Sequence, residues 1–431
     1  MKRNSSRQRP KHLAPHSGLP TKEVSTRLRV RPESKAPVAP LPIQPTSERE
    51  QMWKDLESLF RSKFHEPDME AAKVVLACVA AHRISEHPPA WDMAIAPAGS
   101  LKTVILESLD GLPDVHLVDE VTPQTFISGK MDSDGHKRTA PASLLHRIGN
   151  QGILISADFS TVLTSDQRNR IKVFSQLRRI YDGHLHREFG TDENLEERDW
   201  KGRITFLAGV TPEVDRHHKV FAALGDRFIR TRWPRAAGAE AALRAMKQDR
   251  QVALDVKTGI HQLMLPILSH SEIPAPEFPD PLLDRVASLS EFVALARAYV
   301  PHDRRDEIDG EAQAESNTRL PQELAQIGRG WAVLMNRSQV TDEDFALIRK
   351  AAFDSIPPLR RVVLQALIKG EKPHSLGQPA STVNRVLGDL ETCGLISSTP
   401  KRHALRENAR SLLVAAGEGV KGFPGISGKV T

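Results

Sequence analysis

Hydrophobic residues first recur at a helical spacing just after residue 48. Trp53, Leu56 and Phe60 repeat every three or four positions, and a second helical pattern runs from Met69 to Ile84. Because one face of an amphipathic helix recurs at that spacing, we predict N-terminal helices within residues 49–90.

Short apolar runs then alternate with helical patterns. The predicted strands cover residues 91–95, 115–118, 152–155 and 204–208, and the predicted helices cover residues 103–109, 143–148 and 167–180. Residues 184–189 and 198–200 flank Gly190-Thr191-Asp192, which predicts a β-hairpin. Continuous apolar strands that alternate with helices are typical of an α/β fold with a parallel sheet covered on both faces. We assign this core to residues 91–235.

Strand patterns end after Arg235. Residues 236–353 have helical periodicity with a polar break near residues 303–317, and they are predicted to form an all-helical lid. Residues 354–415 have an organisation of their own, and residues 416–431 are predicted to be a flexible tail.

The basic charge is concentrated at the beginning of the chain. The formal net charge is +6, and residues 1–50 contain eleven Lys and Arg against four Glu. Residues 1–48 are rich in Pro and Ser, so we predict a disordered basic tail. Such a tail either holds nucleic-acid phosphates or serves only to keep the chain soluble, and the sequence leaves both roles open.

Composition excludes several classes of protein. No apolar run approaches the roughly 20 residues that a membrane-spanning helix needs, so no membrane association is predicted. Cys78 and Cys393 are the only cysteines, which excludes a disulfide framework or a cysteine-based zinc site. The basic N-terminus lacks the apolar stretch of a secretory signal, and a reducing cytoplasm is the expected compartment.

The segment from Ala96 to Thr103 connects a predicted strand to a predicted helix. In the P-loop pattern G-x-x-x-x-G-K-[ST], backbone amides wrap phosphates, the Lys neutralises their charge and the Ser or Thr binds Mg²⁺. Lys102 and Thr103 occupy their positions, whereas Ala96 and Leu101 replace both signature glycines. The predicted ATP contacts are Ala98, Gly99, Ser100, Leu101, Lys102 and Thr103. The alternative is a strand-to-helix turn in which Lys-Thr occurs by chance.

Polar residues follow two further predicted strands. Asp158 comes after the apolar run 153–155, an arrangement that places a carboxylate beside Mg²⁺ and its water. An Asp that only caps the next helix is the alternative. Thr211 follows the next strand and could hold the attacking water. Arg227 is a candidate finger for the γ-phosphate of a neighbouring subunit, or an ordinary surface arginine.

Short motifs accompany these residues. They are Gly111-Leu112-Pro113-Asp114-Val115-His116, Asp158-Phe159, Tyr181-Asp182-Gly183, Phe189-Gly190-Thr191, Ala208-Gly209-Val210-Thr211-Pro212 and Gly225-Asp226-Arg227-Phe228. Their order and spacing over residues 91–232 resemble the minichromosome-maintenance (MCM-like) branch of AAA+ ATPases, and more closely a set of bacterial and mobile-element ATP-binding proteins. The resemblance implies ATP, Mg²⁺ and a homo-oligomer such as a hexameric ring. It makes Thr211 the sensor-1 residue, Arg227 the finger, Arg319 the sensor-2 residue, and residues 184–200 a hairpin facing the central pore.

One carboxylate of that family's acidic motif is missing. The helicases have Asp-Glu-Phe, where Asp binds the metal and Glu polarises water, but this chain has Ala157-Asp158-Phe159. Aligned on Phe159, Asp158 takes the Glu position. Aligned on strand length, Asp158 is the metal ligand and no general base remains. Loss of the base would lower hydrolysis by about 10²-fold or more.

The C-terminal segment resembles a winged helix-turn-helix. A helix from Leu359 ends at Gly370, a second helix spans Thr382–Leu390, and residues 397–405 form the wing. The resemblance implies that the second helix enters a DNA major groove. The candidate DNA contacts are Thr382 and Arg385 on the helix, and Lys401 and Arg402 in the wing. The alternative is a small helical domain that contacts proteins.

The sequence therefore predicts an oligomeric AAA+ ATPase acting on DNA, as a helicase-like motor or a replication factor of a mobile element. One alternative is a non-motor DNA-binding regulator or loader that binds ATP without efficient hydrolysis. Another is a protein-interaction scaffold whose P-loop binds no nucleotide.

Overall fold

A parallel sheet of five strands lies at the centre of the fold. The computed structural model describes residues 39–127, 143–191, 194–217, 221, 225–399 and 402–420. The strands are β1 (Asp92–Ile95), β2 (Val115–Leu117), β3 (Gln151–Ser156), β4 (His184–Thr191), β5 (Asn194–Lys201), β6 (Arg203–Val210), β7 (Ile229–Arg232), β8 (Ile396–Thr399) and β9 (Arg402–Leu405). The sheet has the order β2-β3-β6-β1-β7, and β4-β5 and β8-β9 are separate antiparallel hairpins.

Helices precede, cover and follow the sheet. They are α1 (Thr46–Lys63), α2 (Met69–Ala80), α3 (Leu101–Ser108), α4 (Pro123–Phe126), α5 (Leu144–Ile148), α6 (Ser160–Thr164), α7 (Gln167–Tyr181), α8 (Gly238–Met246), α9 (Arg250–Leu268), α10 (Asp280–Ala296), α11 (Leu320–Leu334), α12 (Asp342–Asp354), α13 (Pro358–Lys369), α14 (Ala380–Thr392) and α15 (Glu407–Ala415). Residues 297–319 contain no helix or named strand, as the polar break predicted.

Alternate residues of the strands enter two hydrophobic cores, one on each face of the sheet. Ile153 and Ile155 pack with α1, α2 and the helices after residue 250, whereas Leu154 packs with α7 and the β4-β5 hairpin. Because side chains alternate across a strand, this division shows that both faces are covered. The predicted α/β fold with a parallel sheet is confirmed.

All five strands run in the same direction, so their carboxyl ends meet at one edge. Asp92 at the start of β1 lies beside Ile229 at the start of β7, while Ile95 lies beside Val210 at the end of β6. We call the edge at Ile95 and Val210 the carboxyl edge, and the edge at Asp92 and Ile229 the amino edge. Ligands of open parallel sheets bind outside the carboxyl ends of the strands.

The C-terminal segment is fixed to the helices that precede it. The buried guanidinium of Arg360 donates to the carbonyl oxygens of Ala296 and Ala298, and it lies 3.0 Å from the carboxylate of Asp389. Beyond α15, Val420 is buried and Glu418 forms an ion pair with Arg349. Packed structure therefore continues into the segment predicted as a flexible tail.

The structure differs from the sequence-based prediction at one strand and at one helix boundary. Strand β7 was not predicted, because Arg230 and Arg232 interrupt its apolar pattern. Helix α1 begins at Thr46, so the last residues assigned to the basic tail belong to a helix. None of the described helices is long and apolar enough to span a bilayer.

Candidate functional site

The predicted phosphate loop connects β1 to α3 at the carboxyl edge. Ala96 is fully buried, and its amide donates to the carbonyl of Val210 across 3.0 Å. Gly99 adopts a φ of +75°, a conformation that other residues rarely adopt, and nothing lies within 4 Å of the place where a Cβ would stand. Ser100 is extended and precedes the first turn of α3. The local structure is the strand, turn and helix that a P-loop requires.

The side chain of Lys102 is largely buried, and its amine has no partner among the described residues. It is 7% exposed, and none of the described residues forms a hydrogen bond or ion pair with its amine. Burial lowers the pKa of Lys102, and the charge of Asp158 opposes that shift. The hydroxyl of Ser100 is also buried without a partner among the described residues. Unsatisfied polar groups of this kind call for a ligand or water that supplies the missing interactions.

Asp158 and Thr211 are brought together by the contact between β3 and β6. The amide of Phe159 donates to the carbonyl of Gly209 across 2.7 Å, and the amide of Thr211 donates to Ser160 Oγ across 3.0 Å. A Cβ on Gly209 would stand 2.3 Å from the carbonyl oxygen of Ala157. Only glycine allows this approach, which places the exposed Asp158 beside the tip of β6.

A cavity of about 510 Å³ opens beside the phosphate loop. Its walls are the loop and α3 (Gly99, Ser100, Leu101, Val104), the α1–α2 connection (Phe64, His65, Glu66, Pro67, Asp68), the end of β7 (Trp233, Pro234, Arg235, Ala236, Ala237) and α8 (Gly238, Ala241, Ala242, Arg244, Ala245, Gln248). Its volume lies within the range of ligand pockets. The sequence motifs predict only the wall formed by the loop, because the other walls come from segments far apart in the chain.

Some features of the loop fit a nucleoside triphosphate with Mg²⁺, and others do not. The free amine of Lys102 and the amino end of the eight-residue helix α3 provide positive charge for phosphates. Thr103 is an oxygen donor that would hold Mg²⁺, and Asp158 would either join it as a ligand or polarise the attacking water. Among the residues that the structure describes, Asp158 is the one carboxylate whose charge acts on Lys102, and Leu101 lines the cavity where a P-loop has glycine.

Arg227 lies at the amino edge, far from the phosphate loop of its own chain. It directly precedes Phe228, whose ring packs 5.3 Å from that of Trp91 just before β1. The Arg227 guanidinium lies 3.4 Å from Asp182 and 5.4 Å from the ring centre of Tyr181. The length of β1 separates it from Ala96, about 13 Å at 3.3 Å per residue.

Arg319 shares this location with Arg227. Its guanidinium lies 3.1 Å from Glu315 and 3.4 Å from the buried Glu323, which accepts a 2.9 Å hydrogen bond from the hydroxyl of Tyr181. Burial lowers the pKa of Arg227, and the positive charge of Arg319 lowers it further. The structure therefore places the predicted finger and the predicted sensor-2 residue together, and apart from Lys102.

Among the described residues, the predicted DNA contacts of the C-terminal segment do not form one continuous site. Thr382 and Arg385 line a cleft of about 420 Å³ whose other wall is the segment 302–308. Arg402 is exposed at the start of β9. Lys401 lies outside the described residues.

The β4-β5 hairpin pairs His184 with Lys201 and Thr191 with Asn194, in agreement with the predicted hairpin. Within the part of the chain that the structure describes, no group of three or more His, Cys, Asp or Glu side chains could hold a metal ion.

Comparisons with known proteins add little. No protein-family model matches the chain, and no curated protein matches it. Among solved structures, a "putative ATPase" from Cytophaga hutchinsonii aligns with 80% of this chain and 96% of its own, at 13% identity and a TM-score of 0.41. That likeness is too weak to assign a family or an activity.

Proposed function

We propose that this protein binds ATP with Mg²⁺ at the loop Ala96–Thr103, as an AAA+ protein. The observation that carries the proposal is Lys102, which is 7% exposed, has an amine free of described partners, and feels the charge of Asp158 at the carboxyl edge. Partial burial of an ammonium without a partner costs free energy, since its desolvation is not offset. Phosphates bound at the loop would offset that cost.

The neighbouring residues support the same ligand. The 510 Å³ cavity beside Gly99 and Ser100 has room for the base and sugar, and its walls combine apolar side chains with polar groups. Thr211 stands between the strand of the loop and the strand of Asp158, because β6 lies between β1 and β3. A polar residue there is suited to orienting water toward a terminal phosphate.

Binding of a labelled ATP analogue tests the proposal. We expect Lys102→Ala to weaken binding at least tenfold, because it removes the cation facing the phosphates. Lys257→Ala serves as the control, since Lys257 is a partly buried lysine on α9 whose amine lies 3.4 Å from Asp110 and does not line the cavity. Equal affinity of wild type and Lys102→Ala, or no binding by either, would refute the proposal.

We further propose that hydrolysis needs two copies of the chain. Arg227 and Arg319 lie together at the amino edge, and the length of β1, about 13 Å, separates that edge from the loop of the same chain. Arginines that stabilise a transferring phosphoryl group can come from a neighbouring molecule. This position supports a homo-oligomer whose nucleotides lie between subunits, such as a ring.

Action on DNA is the second part of the proposal. The segment 355–420 has nine Lys and Arg against five Asp and Glu, and its order of helix, helix and hairpin matches a winged helix-turn-helix. Stimulation of phosphate release by duplex DNA would support a motor or replication factor. ATP-dependent assembly on DNA without turnover would favour the regulator or loader, a role that the single carboxylate also fits.

A further inference from the structure

A basic cavity of about 360 Å³ lies beside the β8-β9 hairpin. Its charged and polar lining consists of Lys372, His374, Arg402, His403 and Arg410, with Glu371 as the one acid. We call it the wing pocket. It draws on the turn after α13, the strand β9 and the helix α15, so distant parts of the segment converge on it.

The cations of the wing pocket are free. Within the described residues, the side chains of Lys372, Arg402 and Arg410 take part in no ion pair and no hydrogen bond, whereas the neighbouring Arg349 and Arg360 are both paired with carboxylates. Three unpaired cations around one cavity repel one another, which an anion would relieve.

The histidines of the wing pocket are held in place by neutral groups. Nε2 of His374 lies 2.9 Å from Oδ1 of Asn384, and Nδ1 of His403 lies 3.0 Å from Oγ of Ser398. Their rings lie 5.7 Å apart. Among the described residues, each histidine therefore keeps its other ring nitrogen for a further partner, and no carboxylate contacts either ring.

The exposed face of α14 has acidic neighbours. Arg385 lies 3.4 Å from Asp306, and Ile308 lies 3.4 Å from the place of a Cβ on Gly388. His302 lies 2.9 Å from Asp389 on the same helix. The segment 303–311 has five acids against two arginines. An acidic segment thus lies beside the face that a major groove would need to approach, and its charge repels phosphates.

We propose that the wing pocket is the primary site at which this protein binds a DNA phosphodiester, and that the α14 face is not. This inference rests on the proposed action on DNA and names the residues that perform it. Free cations spread over three elements favour a backbone that passes along them, since each neutralised phosphate adds to affinity through counterion release. The acidic segment directs the duplex away from Arg385 and toward the wing.

Fluorescence anisotropy with a labelled duplex of about 20 base pairs tests the site. We expect the triple variant Lys372→Ala, Arg402→Ala, Arg410→Ala to bind at least tenfold more weakly. Its slope of log affinity against log salt should be lower by up to about 3, one per lost phosphate contact. The triple variant Lys54→Ala, Arg61→Ala, Arg216→Ala removes the same charge from exposed positions elsewhere and should stay within threefold of wild type.

Two further variants separate the wing pocket from the α14 face and from misfolding. Arg385→Ala should bind DNA within threefold of wild type. The charge-preserving triple Lys372→Arg, Arg402→Lys, Arg410→Lys should retain binding, which a packing defect would not allow. An unchanged affinity of the alanine triple, or a loss in Arg385→Ala as large as in that triple, would overturn the proposal.

The same proteins show whether the wing pocket prefers DNA or free phosphate, and whether the wing variants still bind the ATP analogue. At matched ionic strength, inorganic phosphate should displace the duplex no better than chloride. Displacement by phosphate at a few millimolar, with no effect of the alanine triple on DNA, would show a site for free phosphate instead. The wing variants should bind the ATP analogue like wild type. Absence of ATP binding in wild type would refute the proposed nucleotide site but leave the DNA result standing.

Discussion

Nη2 of Arg227 lies 3.4 Å from Oδ1 of Asp182, two residues before the first residue of the β4-β5 hairpin. The same guanidinium faces Tyr181, whose hydroxyl donates to Glu323 on α11, and Glu323 in turn faces Arg319. The amino edge therefore joins the predicted finger, the lid and the root of the hairpin in one polar cluster. A phosphate of a neighbouring molecule that contacted Arg227 would act on all three.

Mixing two inactive variants tests whether Arg227 serves a neighbouring molecule. Lys102→Ala lacks the loop cation and Arg227→Ala lacks the finger, so each alone should lose ATP turnover, by about 10³-fold for the finger. In mixed oligomers, an intact loop of one variant meets an intact arginine of the other. We expect phosphate release from a one-to-one mixture to exceed the mean of the separate variants severalfold.

Arg216→Ala mixed with Lys102→Ala is the control, because Arg216 is exposed and pairs with Glu213 rather than with a residue of the amino-edge cluster. That mixture should follow simple dilution of the active variant. If Lys102→Ala and Arg227→Ala together release no more phosphate than apart, Arg227 does not act between subunits.

Asp92 gives the fold a predictable dependence on pH. Burial, helped by the charge of Asp354 and opposed by Thr231 and Lys350, raises the pKa of Asp92 to about 7. The unfolded chain has a carboxyl pKa near 3.9, so the folded state binds the extra proton between about pH 4 and pH 7. The contribution of Asp92 to stability therefore falls as the pH rises through this window, and it levels off above pH 7.

Asp92→Asn should remove this decline. The amide keeps an oxygen for the 2.6 Å hydrogen bond from Thr231, and it carries no charge at any pH. Relative to wild type, the free energy of unfolding of the variant should rise by on the order of a few kcal/mol between pH 5 and pH 8. Urea unfolding at several pH values measures it, with the exposed Asp110→Asn as control. A pH profile parallel to wild type would show that Asp92 does not titrate in this range.

A strand of the sheet could be predicted from the sequence only where its residues form an uninterrupted apolar run. The strand 152–155 was found because its residues are uniformly apolar and face a core on each side. Strand β7 was missed because Arg230 and Arg232 are held there by Asp226 and Asp215, at 2.7 Å in each case. Tertiary ion pairs allow a charged residue in a buried strand, and a pattern of hydrophobicity does not contain them.

The residues of the candidate site likewise fall into those that local sequence predicts and those that depend on long-range packing. Lys102, Thr103 and Asp158 follow from local motifs, since each is fixed by the strand that precedes it. The cavity walls at Trp233 and Gln248 depend on how distant segments pack, and no local pattern indicates them.

Gly209→Ala should disturb the site through the backbone. The added Cβ would stand 2.3 Å from the carbonyl oxygen of Ala157 and 3.0 Å from Leu106, so β6 and the turn that bears Asp158 must separate. We expect a loss of about 1–3 kcal/mol in the free energy of unfolding and weaker binding of the ATP analogue. At Gly419, nothing lies within 4 Å of an added Cβ, so Gly419→Ala should change neither quantity.

Ala157→Asp tests which role Asp158 plays. Phe159 is fully buried and its amide is bonded to Gly209, so the phenylalanine is the fixed point of this turn, and Ala157 is the first residue beyond β3. Aligned on Phe159, Asp158 takes the place of the water-polarising Glu, and the metal ligand is the group that is missing. A carboxylate at position 157 should then raise ATP turnover about tenfold or more at saturating Mg²⁺, whereas Ala157→Asn, of similar size but neutral, should stay near wild type. Equal turnover of Ala157→Asp and Ala157→Asn would make Asp158 the metal ligand, and it would leave the chain without a general base.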